Sequence, residues 1–470
     1  MAKPSWDDFE SGDLNRLRDK LLRKQVRFQL YAFSPYYRKA LEGTQVSTRG
    51  FNGIRDLKSL PLVDQSALAA APDEFVLKPE PHLIQRLGSG RQLVDVAMDK
   101  LFGGIERSTK MLGSDYGPVH TLETLGTSAE PVPIRLTRRD IGTLATQGRR
   151  MLQVAGAGPT DIVLNLLEPV ASGGFWCAWL GAVAFGIKQI APGYVEPERA
   201  ASLAKSSGAT VMIARAADVL DVLEAAGSLP DLKIVILAPE PVGPTLKYRI
   251  HELAGDAVDI VSTYQFAEGR AVWAECRQGS ASAEAGFHTY PDFDVIEILM
   301  RRSDALAQLG QPGEVAFTGL DQRGTALLRY RPGDVATGGI RTGRCPYCNR
   351  NLDRVIGPIR RTDKLIPIHL KESSPMEMDA DVVTEIMAHP GVAAWSVEVI
   401  TGSEGSGRDE VFISFRPSKR VNLATLVVEV DARLRVEAGF IPTQLIASES
   451  ITPGFVDRRP SETRRLIIED

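Results

Sequence analysis

The chain has 470 residues, of which 43% are hydrophobic and 24% are charged. This length and composition predict a globular protein of two to four domains and exclude wholesale disorder. Acidic residues number 59 and basic residues 55, so the charge balance gives no reason to expect nucleic acid or an anionic membrane as a partner.

Neither a secretory leader nor a membrane span is expected. The first ten residues lack the basic and then apolar pattern of a signal peptide. The most apolar stretch, residues 175–190, is interrupted by two glycines and a lysine and is shorter than the ~20 residues that a span requires. Four cysteines do not make a disulfide scaffold. We therefore expect a cytoplasmic protein of enzyme-like size.

The first predicted element is an amphipathic helix over residues 12–33, where apolar side chains recur at helical spacing between basic ones. In residues 34–75, Pro61 predicts a turn, and Asp64 or Ser66 is a candidate cap for the helix that follows.

From residue 130 to 265, short β-rich runs alternate with alanine-rich helical runs. This alternation predicts a mostly parallel sheet covered by helices. The predicted strands are residues 161–167, 209–214, 232–238 and 257–264. The predicted helices are residues 178–184, 198–208 and 217–227, of which the last two end at Gly208 and Gly227.

Residues 285–345 follow a different pattern, in which proline and glycine turns join short strands. The predicted strands there are residues 293–299, 313–320 and 326–334. This pattern favours an antiparallel, barrel-like region.

The last hundred residues predict a helix, two strands, a helix and a strand. Their ranges are 381–391, 393–401, 410–417, 422–439 and 443–450. This order is typical of a small α+β module. We place the domain boundary between residues 361 and 362, which gives a large N-terminal domain (1–361) and a small C-terminal one (362–470).

Four short segments carry candidate chemistry. Residues 124–131 place a glycine beside two hydroxyl residues in a turn suited to wrapping a phosphate. Glu268 follows an aromatic residue at a predicted strand end, where a carboxylate can hold Mg²⁺. Asp334 follows a Pro-Gly turn and can accept from two hydroxyls of a ribose. Residues 360–363, with two arginines, lie at the predicted domain boundary and can pair with phosphate or ribose.

Each segment taken alone also has a structural explanation. The first is a common Ser/Thr/Gly turn, and Glu268 alone would be a surface carboxylate beside a buried tyrosine. Asp334 would cap its own turn, and residues 360–363 would be a solvated charge cluster in a linker.

The four segments, together with a fifth, occur in an order and at intervals that resemble the adenylate-forming superfamily, and within it the phenylacetate–CoA ligase family. That family has a phosphate loop close to SSGTTGKP, a Y-G-x-T-E motif, a G-A-E-P turn, a strand P-L-I-R-Y-R-T-G-D and a hinge G-R-x-D. The matching segments here are TLGTSAEP (124–131), YQFAE (264–268), APEP (238–241), ALLRYRPGD (326–334) and RRTD (360–363). The resemblance runs from about residue 30 to the end, with residues 80–120 poorly matched.

The resemblance implies an α/β fold with a large N-terminal adenylation domain, whose mixed sheets are layered by helices and joined by a barrel-like region, and a small α+β lid domain. It also implies a two-step reaction on a small, aromatic carboxylic acid: the carboxylate attacks the α-phosphate of ATP to give an acyl-AMP, and a second nucleophile, usually the thiol of CoA, displaces AMP. Members of the family are often dimers, so a homodimer is an expectation.

The resemblance further implies roles for individual residues. The expected catalytic residues are Glu268, Arg361 and Thr127. The expected nucleotide-binding residues are Gly126, Thr127, Ser128, Glu240, Pro241, Tyr264, Gln265, Phe266, Ala267, Glu268, Asp334 and Arg361. Glu268 is expected to bind Mg²⁺, and Asp363 is the expected hinge. The expected acyl pocket contains Ser172, Gly173, Gly174 and Phe175, which would admit a flat, aromatic acid; the alternative is a tight helix entry.

Several positions depart from the family pattern. Ala129 and Glu130 replace glycine and lysine in the phosphate loop, and Ala267 replaces a threonine. Thr463 stands where a C-terminal lysine usually neutralises charge, and residues 369–375 differ from the usual thiol-tunnel sequence. The acceptor therefore stays open between CoA and another group, through amide formation or nitrite-dependent diazotisation of an aryl amine. A nucleotide-binding pseudoenzyme is a further alternative.

Four residues form a candidate metal site. Cys345 and Cys348 have the C-x₂-C spacing that places two thiolates on one metal ion. Cys276 and His288 lie near the start of the barrel-like region, and some members of the resembling family hold a structural Zn²⁺ with Cys and His at matching points. We predict a Cys₃His zinc site, with a reduced cysteine pair in a turn as the alternative. Cys177 is predicted to be core.

Overall fold

The computed structural model of the chain describes most, but not all, of its residues. The described residues are 5–48, 50–79, 115–124, 131–170, 172–240, 242–282, 284–301, 303–370, 376–401, 408–418, 421–448 and 454–457. The chain divides into two units, Met1–Ile359 and Arg360–Asp470. The roles of adenylation domain and lid for the two predicted domains stay predictions.

A parallel sheet carries the first half of the larger unit. In spatial order, its strands within the described ranges are Lys188–Ile190, Ile162–Asn165, Val211–Ala214, Ile234–Leu237 and Asp259–Val261. The central strands are fully buried runs of aliphatic residues, as expected for a sheet covered on both faces. The helices in this region are Arg138–Val154, Gly173–Phe185, Pro197–Ser207, Ala216–Ala226 and Pro244–Ala254. The predicted α/β alternation is confirmed, and Gly208 and Gly227 end their helices as expected.

Two further sheets form the predicted barrel-like region. In the first, Gly313–Gly319 pairs antiparallel with Asp294–Leu299, Tyr330–Arg331 and Asp334–Ala336, and Val63–Asp64 lies parallel to Tyr330–Arg331. The second is antiparallel and contains, in spatial order, Thr263–Tyr264, Trp273–Ala274, Phe287–His288, Arg354–Val355 and Ile340–Arg341. The antiparallel prediction for residues 285–345 is confirmed.

Two predicted strands are each divided in two. Residues 257–264 leave the parallel sheet at Ser262, whose backbone N–H donates to the carboxylate of Glu275 at 3.0 Å. The next two residues, Thr263–Tyr264, then join the antiparallel sheet. In residues 326–334, Arg329 has a left-handed backbone, with φ of +47°, just before the short strand Tyr330–Arg331. Gly333, with φ of +80°, then separates this strand from Asp334–Ala336. Consequently Asp334 begins a strand instead of ending one.

The N-terminal region packs against this body. The predicted helix over residues 12–33 is confirmed as Ser11–Gln25, a π-helical turn Val26–Leu30 and a last turn Tyr31–Phe33. Short helices follow at Pro35–Ala40, Ile54–Leu57, Gln65–Ala70 and Pro72–Glu74. Asp64 occupies the N-cap position of Gln65–Ala70 without a side-chain cap bond. A hairpin joins Pro118–Glu123 to Pro133–Thr137.

The smaller unit is an α+β module, as predicted. Val392–Thr401 and Asp409–Pro417 pair antiparallel, and Gly454–Asp457 and Gln444–Ala447 add parallel strands at the two edges. Its helices are Ala380–Met387 and Leu423–Arg433, the latter continued by a π-helical turn Leu434–Ala438. The sequence analysis missed the strand Gly454–Asp457 and the hairpin of Leu365–Ile368 with Met376–Asp379. Within the described residues, no helix combines the length and the apolar character needed to cross a lipid bilayer.

Two helices of the larger unit meet at glycines. Gly148 of Arg138–Val154 faces Gly181 of Gly173–Phe185, and both are buried. A Cβ atom added to Gly148 would overlap the backbone carbonyl of Cys177, and one added to Gly181 would overlap the backbone of Gly148. The backbones therefore approach so closely that neither position has room for a methyl group.

A buried ion pair fixes the turn that follows Thr263–Tyr264. Nη1 of Arg270 lies 2.7 Å from Oδ1 of Asp140, and both side chains are at least 95% buried. Asp140 also accepts backbone N–H bonds from Thr137, Arg323 and Gly324. Burial alone raises the pKa of Asp140, but the Arg270 guanidinium and the three N–H bonds outweigh it and lower the pKa below the ordinary 3.8.

We predict that Gly148→Ala lowers the free energy of unfolding by ~1–3 kcal/mol, because the methyl group has no space between the helices. Gly142→Ala is the matched control on the exposed side of the same helix, where nothing lies within 4 Å of an added Cβ. That control should be neutral or gain ~0.5–1 kcal/mol from the better helix propensity of alanine. Denaturant unfolding measures both; equal effects would contradict the close approach.

We predict that Asp140→Asn destabilises the larger unit by ~3–5 kcal/mol at pH 7, because it leaves the buried Arg270 charge uncompensated. The folded-state pKa of Asp140 is lowered, so its contribution is present above pH ~4 and is lost as pH falls through the folded pKa. The difference between wild type and variant should therefore be constant from pH 5 to 8 and shrink below pH 4.

Asp73→Asn is the control, since Asp73 pairs with Arg135 at the surface with a 65% exposed side chain. Its expected cost is below ~1 kcal/mol. Denaturant unfolding at pH 7 and pH 3 measures both variants. A cost for Asp140→Asn as small as the cost of Asp73→Asn would contradict the prediction.

Candidate functional site

Glu268 lies in a short turn that is held in place from several directions. The strand Thr263–Tyr264 leads into the 3₁₀ turn Ala267–Gly269, and Glu268 is only 5% exposed. Nε2 of Gln265 donates to the backbone oxygen of Arg270 at 2.8 Å and so closes the turn. Arg270 itself has a left-handed backbone, with φ of +69°. A non-glycine residue in this region costs free energy, and here the buried ion pair with Asp140 offsets the cost.

The aromatic residues of this segment are part of the core. The ring of Phe266 makes an edge contact with Phe317, at 5.2 Å between centroids, and a tilted contact with Trp273 at 5.6 Å. Tyr264 lies 5.6 Å from the same Trp273 and is 5% exposed. Ala267 stands beside Glu268 in the turn. The backbone that carries Glu268 therefore rests on a packed aromatic layer.

Asp334 lies in a second segment that is anchored in a similar way. Arg329 is 1% exposed, and its Nε donates to the carboxylate of Glu297 at 3.0 Å. Its Nη1 donates to the backbone oxygen of Leu60 at 2.6 Å. Tyr330 follows and is completely buried, and Asp334 is 4% exposed. The second segment thus holds its carboxylate as firmly as the first.

Two hydrogen bonds join the segments crosswise. The hydroxyl of Tyr264 donates to Oδ2 of Asp334 at 2.8 Å. The hydroxyl of Tyr330 donates to Oε1 of Glu268 at 2.7 Å. The structure therefore brings together Glu268 and Asp334, the two carboxylates that the sequence analysis assigned to metal and ribose. The sequence analysis missed Tyr330, although it precedes Asp334 by four residues just as Tyr264 precedes Glu268.

Glu240 has a local structural partner. Its Oε1 accepts the backbone N–H of Ala216 at 2.8 Å, at the first residue of the helix Ala216–Ala226. Burial raises the pKa of Glu240 above its ordinary value, against the lowering effect of that N–H bond and of Arg215. The carboxylate therefore fixes residues 238–240 to a helix N-terminus. The predicted Pro241 lies outside the described residues.

The predicted acyl-pocket residues lie at the start of the helix Gly173–Phe185. A Cβ atom on Gly173 would overlap the amide of Gln265, whereas one on Gly174 would have ordinary contacts of 3.6 Å or longer. Ser172 is the N-cap residue without a side-chain cap bond. Phe175 is 6% exposed. Gly173 therefore has a packing function next to the Glu268 turn.

An aromatic pair that the sequence analysis did not single out adjoins these residues. Trp176 makes edge contacts with Phe175 at 5.2 Å and with the ring of His120 at 5.0 Å between centroids. Its indole N–H donates to the backbone oxygen of Val170 at 3.0 Å. The only sequence signal was the run of aromatic residues after the glycines.

The predicted metal ligands form one cluster. Cys276, His288, Cys345 and Cys348 each offer one donor atom, and these atoms all lie within 4.8 Å of one another. Sγ of Cys276 is 3.9 Å from Sγ of Cys345, and Sγ of Cys348 is 3.4 Å from Nε2 of His288. The hydrogen bonds that join the thiols lower the pKa of Cys345 and raise the pKa of Cys276. Cys177 is buried and lies outside this cluster, as predicted.

The remaining predicted residues are placed as follows. Gly126, Thr127 and Ser128 of the phosphate loop lie outside the described residues. Arg361 ends the strand Ile359–Arg361, and Asp363 lies in the following 3₁₀ turn Thr362–Lys364. Nε of Arg361 lies 3.3 Å from Oδ1 of Asp363. Their roles at the nucleotide and at a hinge stay predictions.

The chain is similar in sequence to two curated proteins named phenylacetate–coenzyme A ligase. The one from Thermus thermophilus is 24% identical over 463 residues, which cover 92% of this chain and 90% of that protein. The one from Aromatoleum evansii is 25% identical over 262 residues, which cover 54% of this chain and 57% of that protein. A scan against protein-family models found no matching family.

The fold is similar to those of solved adenylate-forming enzymes. A 2-hydroxyisobutyryl-CoA ligase in its postadenylation state matches with a TM-score of 0.70 and 17% identity, over 95% of this chain and 89% of that one. The o-succinylbenzoate–CoA synthetase of Bacillus subtilis, in complex with an acyl-adenylate, matches with a TM-score of 0.52 and 15% identity, over 71% and 66%. The chain is therefore similar in sequence to proteins named phenylacetate–coenzyme A ligase and similar in fold to adenylate-forming CoA ligases, in agreement with the resemblance found in the sequence analysis.

Proposed function

We propose that the protein is an ATP-dependent ligase that activates a small, aromatic carboxylic acid as an acyl-AMP and transfers the acyl group to coenzyme A. The observation that carries this proposal is the crosswise pairing of Glu268 and Asp334 with two buried tyrosines. Two carboxylates are held in fixed orientations, as binding a metal and a ribose requires. The names of the curated relatives support an aryl acid and CoA.

In the proposed reaction, the substrate carboxylate attacks the α-phosphate of ATP, and pyrophosphate leaves. Glu268 offers carboxylate oxygens, the ligand type that Mg²⁺ prefers, and its buried, hydrogen-bonded position suits a fixed ligand. Mg²⁺ supplies the neutralisation of charge on the phosphoryl oxygens. Asp334 accepts hydrogen bonds from the ribose hydroxyls. Gly126, Thr127 and Ser128 wrap the phosphates, and Arg361 contacts the nucleotide.

Further residues are assigned to the adenine and to the hinge. As the resemblance implies, we assign recognition of the adenine to the segment of Tyr264, Gln265, Phe266 and Ala267 and to Glu240 and Pro241. Asp363 is the pivot of the smaller unit between the two steps.

We assign the acid to the start of the helix Gly173–Phe185. This helix follows the strand Ile162–Asn165, which lies between Lys188–Ile190 and Val211–Ala214 in the parallel sheet. The strand order reverses there, and ligands of open α/β sheets bind at the carboxyl ends of the strands at such a point. The neighbouring rings of Phe175 and Trp176 provide an apolar wall that suits an aromatic acid.

We further propose that the Cys₃His cluster holds a structural zinc ion. A tetrahedral Zn²⁺ with Zn–S bonds of ~2.3 Å and a Zn–N bond of ~2.0 Å has donor atoms ~3.5 to 3.8 Å apart. The separations of 3.9 and 3.4 Å between the donor atoms fit this geometry. Four protein ligands close the coordination shell, so the ion would stabilise the fold around Phe287–His288 and take no part in the reaction.

We predict that the wild-type protein catalyses Mg²⁺-dependent exchange of pyrophosphate into ATP in the presence of an aryl acid, and that Glu268→Gln lowers the rate at least ~100-fold by removing the charged metal ligand. The assay measures labelled ATP with a panel of aryl acids. Glu224→Gln is the control, because it removes the same charge from an exposed carboxylate that pairs with Arg249. That control should exchange at the wild-type rate.

The same assay separates the alternatives. AMP release that requires added CoA supports the proposed acceptor, whereas release driven by an amine or by nitrite with an aryl amine would replace CoA in the proposal. Binding of ATP without exchange for any acid would show a pseudoenzyme and overturn the ligase proposal. Exchange by Glu268→Gln at the wild-type rate would refute the role of this carboxylate alone.

We predict one zinc ion per chain by elemental analysis of protein purified without chelators. Cys348→Ser should lose most of the zinc and lower the thermal unfolding midpoint, because a closed four-ligand site contributes folding free energy. Cys177→Ala is the control: it removes a buried thiol outside the cluster and should retain the zinc. Zinc-free wild-type protein that unfolds at the same temperature with and without added zinc would contradict the proposal.

A further inference from the structure

Two segments of the site have the same internal spacing. Tyr264 precedes Glu268 by four residues, and Tyr330 precedes Asp334 by four residues. Each tyrosine, however, donates its hydroxyl proton to the carboxylate of the other segment, at 2.8 and 2.7 Å. A phenol hydroxyl has one proton to donate, and each tyrosine donates it to the carboxylate of the opposite segment.

The hydroxyl of Tyr330 is held rigidly. Tyr330 pairs with Phe317 across the antiparallel sheet and is 0% exposed. Its ring lies 6.4 Å from the ring of Phe266, two residues before Glu268. The preceding Arg329 is fixed by Glu297 and by the backbone of Leu60. The donor is therefore positioned by the fold before any ligand binds.

Glu268 has a more flexible side chain than Tyr330, its hydrogen-bond donor. A glutamate side chain has three rotatable torsions, and fixing them costs conformational entropy. A carboxylate offers about four lone-pair positions, and the bond that Tyr330 donates to Oε1 restricts the orientation of the Glu268 carboxylate. A hydroxyl that donates to an ionised carboxylate is among the stronger hydrogen bonds in proteins.

We propose that Tyr330 is a positioning residue for Glu268, so that a tyrosine of the ribose-binding segment sets the metal affinity of the site. The reciprocal bond makes Tyr264 the positioning residue for Asp334 and hence for recognition of the ribose. This inference rests on the proposed function, in which Glu268 holds Mg²⁺ and Asp334 holds the ribose.

The test measures ATP binding by calorimetry, with Mg²⁺ and with EDTA, so that no turnover is needed. The ratio of the two affinities is the metal enhancement. Tyr330→Phe keeps the ring and removes only the donor; we expect it to reduce the metal enhancement about ten-fold and to leave the affinity in EDTA within two-fold of wild type. Tyr264→Phe should keep the metal enhancement and reduce the preference for ATP over 2′-deoxy-ATP.

Tyr290→Phe is the matched control. Tyr290 is also 0% exposed, and its hydroxyl donates to the backbone oxygen of Val272 at 2.7 Å, away from both carboxylates. It should change neither the metal enhancement nor the ribose preference, although it removes the same group from the same core. Thermal unfolding of all three variants checks that each is folded.

A double-mutant cycle sharpens the assignment. In a Glu268→Gln background, Tyr330→Phe should have no further effect on the metal enhancement, because the oriented carboxylate is already gone. An unchanged metal enhancement in Tyr330→Phe, or an equal loss in Tyr290→Phe, would overturn the positioning role while leaving the proposed function intact. A wild-type protein that binds no ATP would overturn the proposed function and the inference together.

Discussion

The buried ion pair between Arg270 and Asp140 is the contact on which the geometry of the site depends. Desolvating two charges is expensive unless their remaining hydrogen-bonding capacity is satisfied. Here the carboxylate of Asp140 also collects backbone N–H groups from residues 137, 323 and 324. Asp140 lies in the first turn of the helix Arg138–Val154. It thereby contacts both Arg270, which follows the turn of Glu268, and residues 323 and 324, which precede the Asp334 segment. The relative position of the two proposed ligand-binding carboxylates follows from this shared anchor.

Both segments carry the same kind of backbone strain. Arg270 and Arg329 have left-handed backbones, and each has a buried guanidinium paired with a buried carboxylate, Asp140 or Glu297. Strained conformations of this type persist only where surrounding contacts determine them, and they cluster at functional sites. The arginines hold the turns in shape so that Glu268 and Asp334 need little rearrangement to receive a ligand. This preorganisation agrees with the electrostatic role proposed for them.

The sequence predicted those features that arise from local patterns. Hydrophobic periodicity and glycine stops were sufficient for the alternating helices and strands between residues 160 and 240, and the C-x₂-C spacing was sufficient to propose that Cys345 and Cys348 share a site. The division of residues 257–264 was not predictable, because it depends on Glu275 accepting the N–H of Ser262. The crosswise bonds of Tyr264 and Tyr330 join residues more than sixty positions apart, and no local spacing encodes such a pairing.

The close approach between Gly173 and Gln265 limits which residues the proposed acyl pocket can accept at position 173. Any side chain at residue 173 would displace the amide that closes the Glu268 turn, so enlargement or narrowing of the pocket at that position would disturb the proposed metal ligand as well. Gly174 has no such restriction, since an added methyl group would meet only ordinary contacts. If the proposed pocket holds the acid, its selectivity can therefore diverge through residue 174, while residue 173 is fixed by its packing against Gln265.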